Sequence, residues 1–162
     1  MSMKSVKTLI FAVVALCALR AGAQMMPNPY GPSVSLEDAK KAAAGVLAEA
    51  LKNKWNMAVA VVDPSGNLVY YEKMDATQLG SANLAIDKAR SAARFKRPTR
   101  AFQDALAAGG TGLRILGVEG AVPVEGGVPL VIDGKIVGAI GASGDTPDHD
   151  GQCAQAGAAL LK

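Results

Sequence analysis

The stretch Asp145-Thr146-Pro147-Asp148-His149-Asp150 gathers the chain's only histidine with three aspartates, and Cys153 follows closely. A neutral imidazole is a good ligand for a transition metal or for haem iron, which makes His149 the first candidate for metal or cofactor binding, in a loop expected from Ser143 to Gly151. No second His or Cys stands at metal-ligand spacing, so a solvated loop histidine is the competing reading. The aspartates could offer oxygen donors to a hard cation, but the EF-hand pattern and its glutamate are absent, and first-turn acids that complement a helix dipole account for them as well. Ser143, Asp148 and His149 do not make a hydrolase, because Gly141-Ala142-Ser143-Gly144-Asp145 breaks the Gly-x-Ser-x-Gly elbow. Cys153 would be an activated thiol if exposed at a helix start, but Ala154, Ala156, Gly157 and Ala158 around it favour a buried, inert side chain.

A second set of polar residues runs from Lys88 through Arg90, Arg94 and Arg97 to Thr99. The cations lie on the same or adjacent faces of one helix and could hold the carboxylates of a ligand, although such a run is more often a solvated face. Thr99 follows Pro98 and is placed to cap the next helix. Tyr70 and Tyr71 point to opposite faces of a strand, and either phenol could ligate ferric iron, but core or interface packing accounts for both. The glycines of Gly126-Gly127 and Gly138-x-x-Gly141-x-x-Gly144 lack the Lys-Ser/Thr of a phosphate loop and are better explained by a helix lying close on a sheet.

The elements that must position these residues follow from periodicity. Ser35 with Asp38 resembles a capping box, opening a helix with the stripe Leu36, Ala39, Ala43, Leu47, Ala50 and Leu51 and ending near Asn53. Met57 to Val62 is apolar throughout, as in a strand covered on both faces, and turns at Asp63–Asn67 into a partner strand over Leu68–Glu72. Ser81 to Lys96 is helical, with Ala82, Ala85, Ile86, Ala89 and Ala93 inward, Lys88 outside that stripe, and Pro98 as the stop. A short helix from Thr99 to about Ala107 ends at Gly109-Gly110, and a loop to Ala121 leads to the last strands. Val128–Ile132 and Lys135–Ile140 around Asp133-Gly134 carry a strong hairpin signal, and a helix follows from Gly151. Helix, two strands, two helices, up to three strands and a final helix predict an α/β sandwich built largely of antiparallel hairpins.

Lys4 and Lys7, the apolar run Leu9–Leu19 and Ala21-Gly22-Ala23 read as a secretory signal cleaved after Ala23, which predicts a periplasmic or extracellular protein. The apolar run is too short for a membrane span. Residues 24–33, with Pro27, Pro29 and Pro32, predict an extended leader, and residues 34–162 a single domain. The net charge of +3 belongs to the signal: Lys4, Lys7 and Arg20 fall within it and no acid does, so the remainder carries equal numbers of acidic and basic side chains. Nothing in that balance calls for nucleic acid or an anionic membrane as a partner. Cys17 leaves with the signal, and Cys153 alone cannot form an internal disulfide.

Several blocks taken together resemble the GlcG/HbpS-like family over nearly all of the expected domain. They are Met57-Ala58-Val59-Ala60-Val61-Val62-Asp63 with Gly66, Met74-Asp75, Lys88-Ala89-Arg90 leading to Arg97-Pro98-Thr99, Gly126-Gly127-Val128-Pro129, Gly138-Ala139-Ile140-Gly141-Ala142-Ser143-Gly144 and Cys153-Ala154. Members of that family include extracellular haem-binding proteins and the C-terminal domain of one class of cobalamin adenosyltransferase. The resemblance implies a profilin-like three-layer sandwich, with a five-stranded, mainly antiparallel sheet and helices on both faces, assembled into dimers to octamers. It also implies a link to haem binding, haem-iron handling and redox stress. It places Thr99 where a threonine of haem-binding relatives is implicated at the iron, and offers Lys88, Arg90, Arg94 and Arg97 to haem propionates.

The expected function is an exported haem-binding or haem-sequestering protein, with Thr99, His149, Lys88, Arg90 and Arg97 at the haem and His149 as the metal ligand. One alternative is a small enzyme or accessory subunit acting on an organic acid or alcohol, with an arginine on the carboxylate and His149 as acid/base. Another is a non-catalytic oligomeric interaction module, which the lack of a complete catalytic constellation favours.

Overall fold

The computed structural model describes residues 27–161; the expected secretory segment, residues 1–23, lies outside them. Helix α1 (Leu36–Asn53) opens as its capping residues predict, with Ser35 Oγ accepting the Asp38 N–H and donating to Asp38 Oδ2. Its buried line is Ala39, Ala42, Ala43, Val46 and Ala50, whereas Leu36 and Leu51 of the expected stripe stay exposed. Small side chains form the contact face and the leucines fall at its margins. Lys54, left-handed at φ 62°, ends the helix in a Schellman pattern in which Trp55 N–H reaches the Ala50 carbonyl at 2.9 Å.

Strand β1 (Ala58–Val62) is buried along its whole length, as its unbroken apolar run requires. β2 (Leu68–Lys73) flanks it on one side and β4 (Lys135–Ser143) on the other, and β3 (Gly127–Ile132) forms the edge beyond β4, so the order is β2-β1-β4-β3. Every pairing is antiparallel. Asp133 and Gly134, at φ 49° and 70°, make the tight turn between β3 and β4 that their sequence signals.

Among the described residues the sheet has four strands, where five were expected. Beyond the end of β1, the leader lies along β4: Gly31 and Val34 N–H groups reach the Ile136 and Val137 carbonyls, and Tyr30 forms a single parallel bridge to Ile136. Pro29 and Pro32 lack the N–H groups that a longer ladder would use, so the contact stops short of a strand.

Helices cover both faces. α1 and α4 (Pro147–Ala158) pack with Val59, Val61, Leu130, Ile140 and Ala142 on one face, and α2 (Ser81–Phe95) packs with Ala58, Ala60, Val62 and Ala139 on the other. The cross-strand neighbours Gly127 and Gly141 lie directly beneath α2, where a Cβ would strike the Lys88 and Ala85 carbonyls. This is the close helix-on-sheet packing expected of the glycines. α3 (Arg100–Ala107) and a 3-10 segment over Gly110–Gly117 complete the path to β3.

Two expectations about the helices are corrected. α4 begins at Pro147 rather than Gly151, because Thr146 caps it and Pro147 occupies the first turn. His149 therefore sits in a helical turn rather than a loop. Lys88 is fully buried rather than turned to solvent. It shares the helical face of Ser81, Ala85 and Ala92, and helical period, not charge, decides which residues meet the sheet.

Candidate functional site

His149 is held from three sides. The Thr146 hydroxyl accepts its backbone N–H, Asp145 Oδ1 lies 2.7 Å from Nδ1, and the Trp55 indole stacks on the ring with centroids 3.9 Å apart and an interplanar angle of 13°. The N–H of Thr146 and then the imidazole hold the Asp145 carboxyl below its usual range, so it is ionised at neutral pH. An ionised carboxylate only accepts hydrogen bonds. The contact therefore requires the proton on Nδ1, which leaves Nε2 of the neutral ring with an open lone pair. The side chain is 39% exposed, so that lone pair is on an accessible group.

Trp55, beside the imidazole, is a site residue that sequence reasoning overlooked, as are Arg100 and Glu125. It is the chain's only tryptophan and follows directly on the helix-ending Lys54, which was the available signal. The cap turns the chain at α1 toward β1 and brings the indole to the first turn of α4.

Just inside this surface lies a buried ionic network. Lys88 Nζ donates to Asp150 Oδ2 at 2.6 Å and to the Ala142 carbonyl at 3.2 Å. Asp150 Oδ1 in turn accepts the N–H groups of Gly144 and Asp145 at 2.9 and 3.1 Å. Burial pulls the Lys88 amine down and pushes the Asp150 carboxyl up, and each is only partly offset by the other. Nearby, Glu125 pairs with Arg100 at 2.7 Å, and Arg100 also reaches Asp104 and Asp148. The absence of side chains at Gly126 and Gly151 leaves the space that Lys88 Nζ and the Glu125 carboxylate fill.

The three aspartates of the opening motif thus diverge, to His149, Arg100 and Lys88 respectively. Among the described residues no group of three or more His, Cys, Asp or Glu side chains is placed to hold a metal ion. Ser143 Oγ donates to Ser81 Oγ inside the protein, while His149 is engaged by Asp145, so no Ser-His-Asp arrangement forms.

Thr99 occupies the N-cap position of α3 without capping it, which corrects the capping role. It is fully buried, and its Oγ1 accepts the Gly127 N–H at 2.9 Å while its own N–H reaches the Gly127 carbonyl at 3.0 Å. These two bonds latch the α2–α3 corner to β3. An iron could reach that hydroxyl only if the latch opened.

The remaining cations lie elsewhere. Arg90 and Arg94 donate to the Gly66 and Ser65 carbonyls in the β1–β2 turn, and line a cleft of about 630 Å³ with Gly66, Asn67, Asp87 and Glu119. The two acids balance the two arginines there. Arg97 lies over the Phe102 ring and donates to the Phe95 carbonyl. Trp55 precedes β1 and the Gly66 turn follows it, so His149 stands at the opposite end of β1 from Arg90 and Arg94, on the opposite face of the sheet. The structure does not bring His149 together with Arg90 and Arg94, the arginines that line the cleft.

Tyr70 and Tyr71 pack on opposite faces, as the strand period requires. Cys153 is buried, and burial with the negative groups nearby pushes its thiol up to about 12. Iodoacetamide at pH 8 is expected to leave it unmodified in the native protein and to alkylate it in urea; rapid native labelling would contradict the inert role.

Comparison with known proteins places this architecture. Escherichia coli GlcG is 37% identical over 95 residues, covering 59% of this chain and 69% of GlcG. The structure of a Streptomyces reticuli HbpS double mutant matches with a TM-score of 0.74 at 31% identity, over 87% of this chain and 93% of that one. That of a PduOC:heme complex matches with a TM-score of 0.72 at 26% identity, over 80% and 96%. The family model described as haem degrading protein HbpS-like spans residues 34–159, and the chain belongs to that family.

Proposed function

We propose that this protein is an exported haem-binding or haem-sequestering protein, a homo-oligomer of profilin-like subunits that serves haem-iron handling or protection against redox stress in the periplasm or outside the cell. The observation that carries the reading is the Asp145–His149 contact at 2.7 Å. A carboxylate on Nδ1 fixes the ring, strengthens it as a donor and leaves Nε2 for a metal, the arrangement found behind metal-ligating histidines generally. Family membership and the likeness to a PduOC:heme complex support the choice of haem over a bare ion.

Haem would supply an iron atom that takes one nitrogen ligand from the protein. His149 fits that part. Lys88 does not fit a propionate, because it is enclosed and already paired with Asp150. Thr99 is likewise enclosed, and Arg90 and Arg97 lie away from His149. The reading rests on His149 alone.

The test is a hemin titration of the purified protein, followed in the Soret band. A saturable change is expected in the wild type and in Arg90→Ala. His149→Ala should weaken binding at least about tenfold, a loss of about 1.4 kcal/mol, while Thr99→Ala should bind as the wild type does and be less stable. Absence of a saturable change, or full affinity in His149→Ala, would overturn the proposal.

A further inference from the structure

We propose that Asp150, locked by Lys88, is a positioning residue that sets the tautomer and direction of His149 through the backbone of Gly144 and Asp145. The inference deepens the haem reading at the same site. A chain of contacts spans the sheet. Lys88 leaves α2 on one face, and its amine passes the edge strand at Gly126, where a Cβ would lie 2.9 Å from Nζ and equally close to the Asp150 side chain. It meets Asp150 Oδ2 at 2.6 Å, with the Ala142 carbonyl as second acceptor.

The lock acts on the other carboxylate oxygen. Asp150 Oδ1 holds two successive N–H groups, those of Gly144 and Asp145, and so fixes the backbone that carries the Asp145 side chain. Asp145 Oδ1 then receives the imidazole at Nδ1. The turn closes on itself, since the Asp150 N–H reaches the Thr146 carbonyl at 2.9 Å and the Thr146 hydroxyl accepts the His149 N–H. A two-oxygen acceptor gripped on one oxygen and gripping with the other is what a rigid second layer behind a ligand needs.

Because His149 is the only histidine, its ring nitrogens give a single set of signals in a long-range 1H–15N spectrum recorded at alkaline pH, where an imidazole is neutral. In the wild type the Nδ1–H form is expected. The variant Lys88→Met/Asp150→Leu replaces the ion pair with apolar groups, an exchange that buried pairs commonly tolerate, and removes the grip on the Gly144 and Asp145 amides. It should move the ring toward the Nε2–H form and weaken hemin binding about 10–100-fold. Thr99→Ala, destabilised at a distance, should leave the tautomer unchanged.

A wild-type tautomer in the double variant, or an equal shift in Thr99→Ala, would overturn the proposal. The wild type provides a test that does not depend on the variant folding: the Gly144 and Asp145 amides should exchange with solvent at least about tenfold more slowly than unstructured ones, and free exchange would sink the idea. If the tautomer moves while hemin affinity is the same in wild type, double variant and His149→Ala, the positioning role stands and the haem reading falls.

Discussion

Lys88→Met is expected to lower the unfolding free energy by about 3–5 kcal/mol, the cost of leaving one member of a buried ion pair without its partner. Lys88 has no exposed surface and the Asp150 side chain only 3%, so water cannot take the place of the missing amine. Asp150→Ala should cost a similar amount, because it strands the ammonium and frees the Gly144 and Asp145 amides together. The double change Lys88→Met/Asp150→Leu should lie much closer to the wild type, since the desolvation of both charges disappears along with their attraction. Urea denaturation of the four proteins measures this directly. A Lys88→Met variant within about 1 kcal/mol of the wild type would mean that the amine is not confined as described.

Gly141→Val is expected to do comparable or greater damage by a steric route. Gly141 lies in the buried centre of β4, paired with Ala60 on β1 and Gly127 on β3. A Cβ there would strike the Ala85 carbonyl and crowd the Ala89 N–H. These are backbone atoms of α2, which cannot rotate aside as a side chain could. The helix must lift from the sheet, at a cost of about 3 kcal/mol or more, and with it goes the path that brings Lys88 to Asp150. Loss of soluble folded protein, or a large drop in the urea midpoint, is the expected readout, with Gly134→Val at the exposed hairpin tip as a smaller, local comparison. Equal stability of Gly141→Val and wild type would contradict the packing of α2.

The elements that local chemistry specifies were legible. Ser35 and Asp38 cap α1, the unbroken Ala58–Val62 run is a strand covered on both faces, and Asp133-Gly134 turns the last hairpin. Each signal is complete within a few residues, so no distant partner is needed to read it. Thr146-Pro147, with a helix-capping threonine ahead of a first-turn proline, was equally local and marked the start of α4. The aspartates around His149 mask it, because acids suit a polar loop as well as a first helical turn.

The candidate site was legible only in part. His149 stood out as the sole imidazole, and the small residues around Cys153 matched its burial. Lys88 and Thr99 were misplaced because their partners, Asp150 and Gly127, lie 62 and 28 residues away. A lysine on an amphipathic helix reads as solvent-facing until a carboxylate from another layer meets it. Trp55 presents the same difficulty, since its place after the helix-ending Lys54 marks a turn but not the imidazole on which the indole stacks.

By itself, the sequence determined most of the helices and strands, the turn of the last hairpin, the glycines that permit a close helix and the family to which the chain belongs. The tertiary structure alone decided which polar groups meet. It paired Lys88 with Asp150, stacked Trp55 on His149, latched Thr99 to Gly127 and carried Arg90 and Arg94 to the far end of β1. The physical reason is range: caps, turns and periodicity act within a few residues, whereas a buried charge is stabilised only by a partner that the fold delivers from elsewhere in the chain.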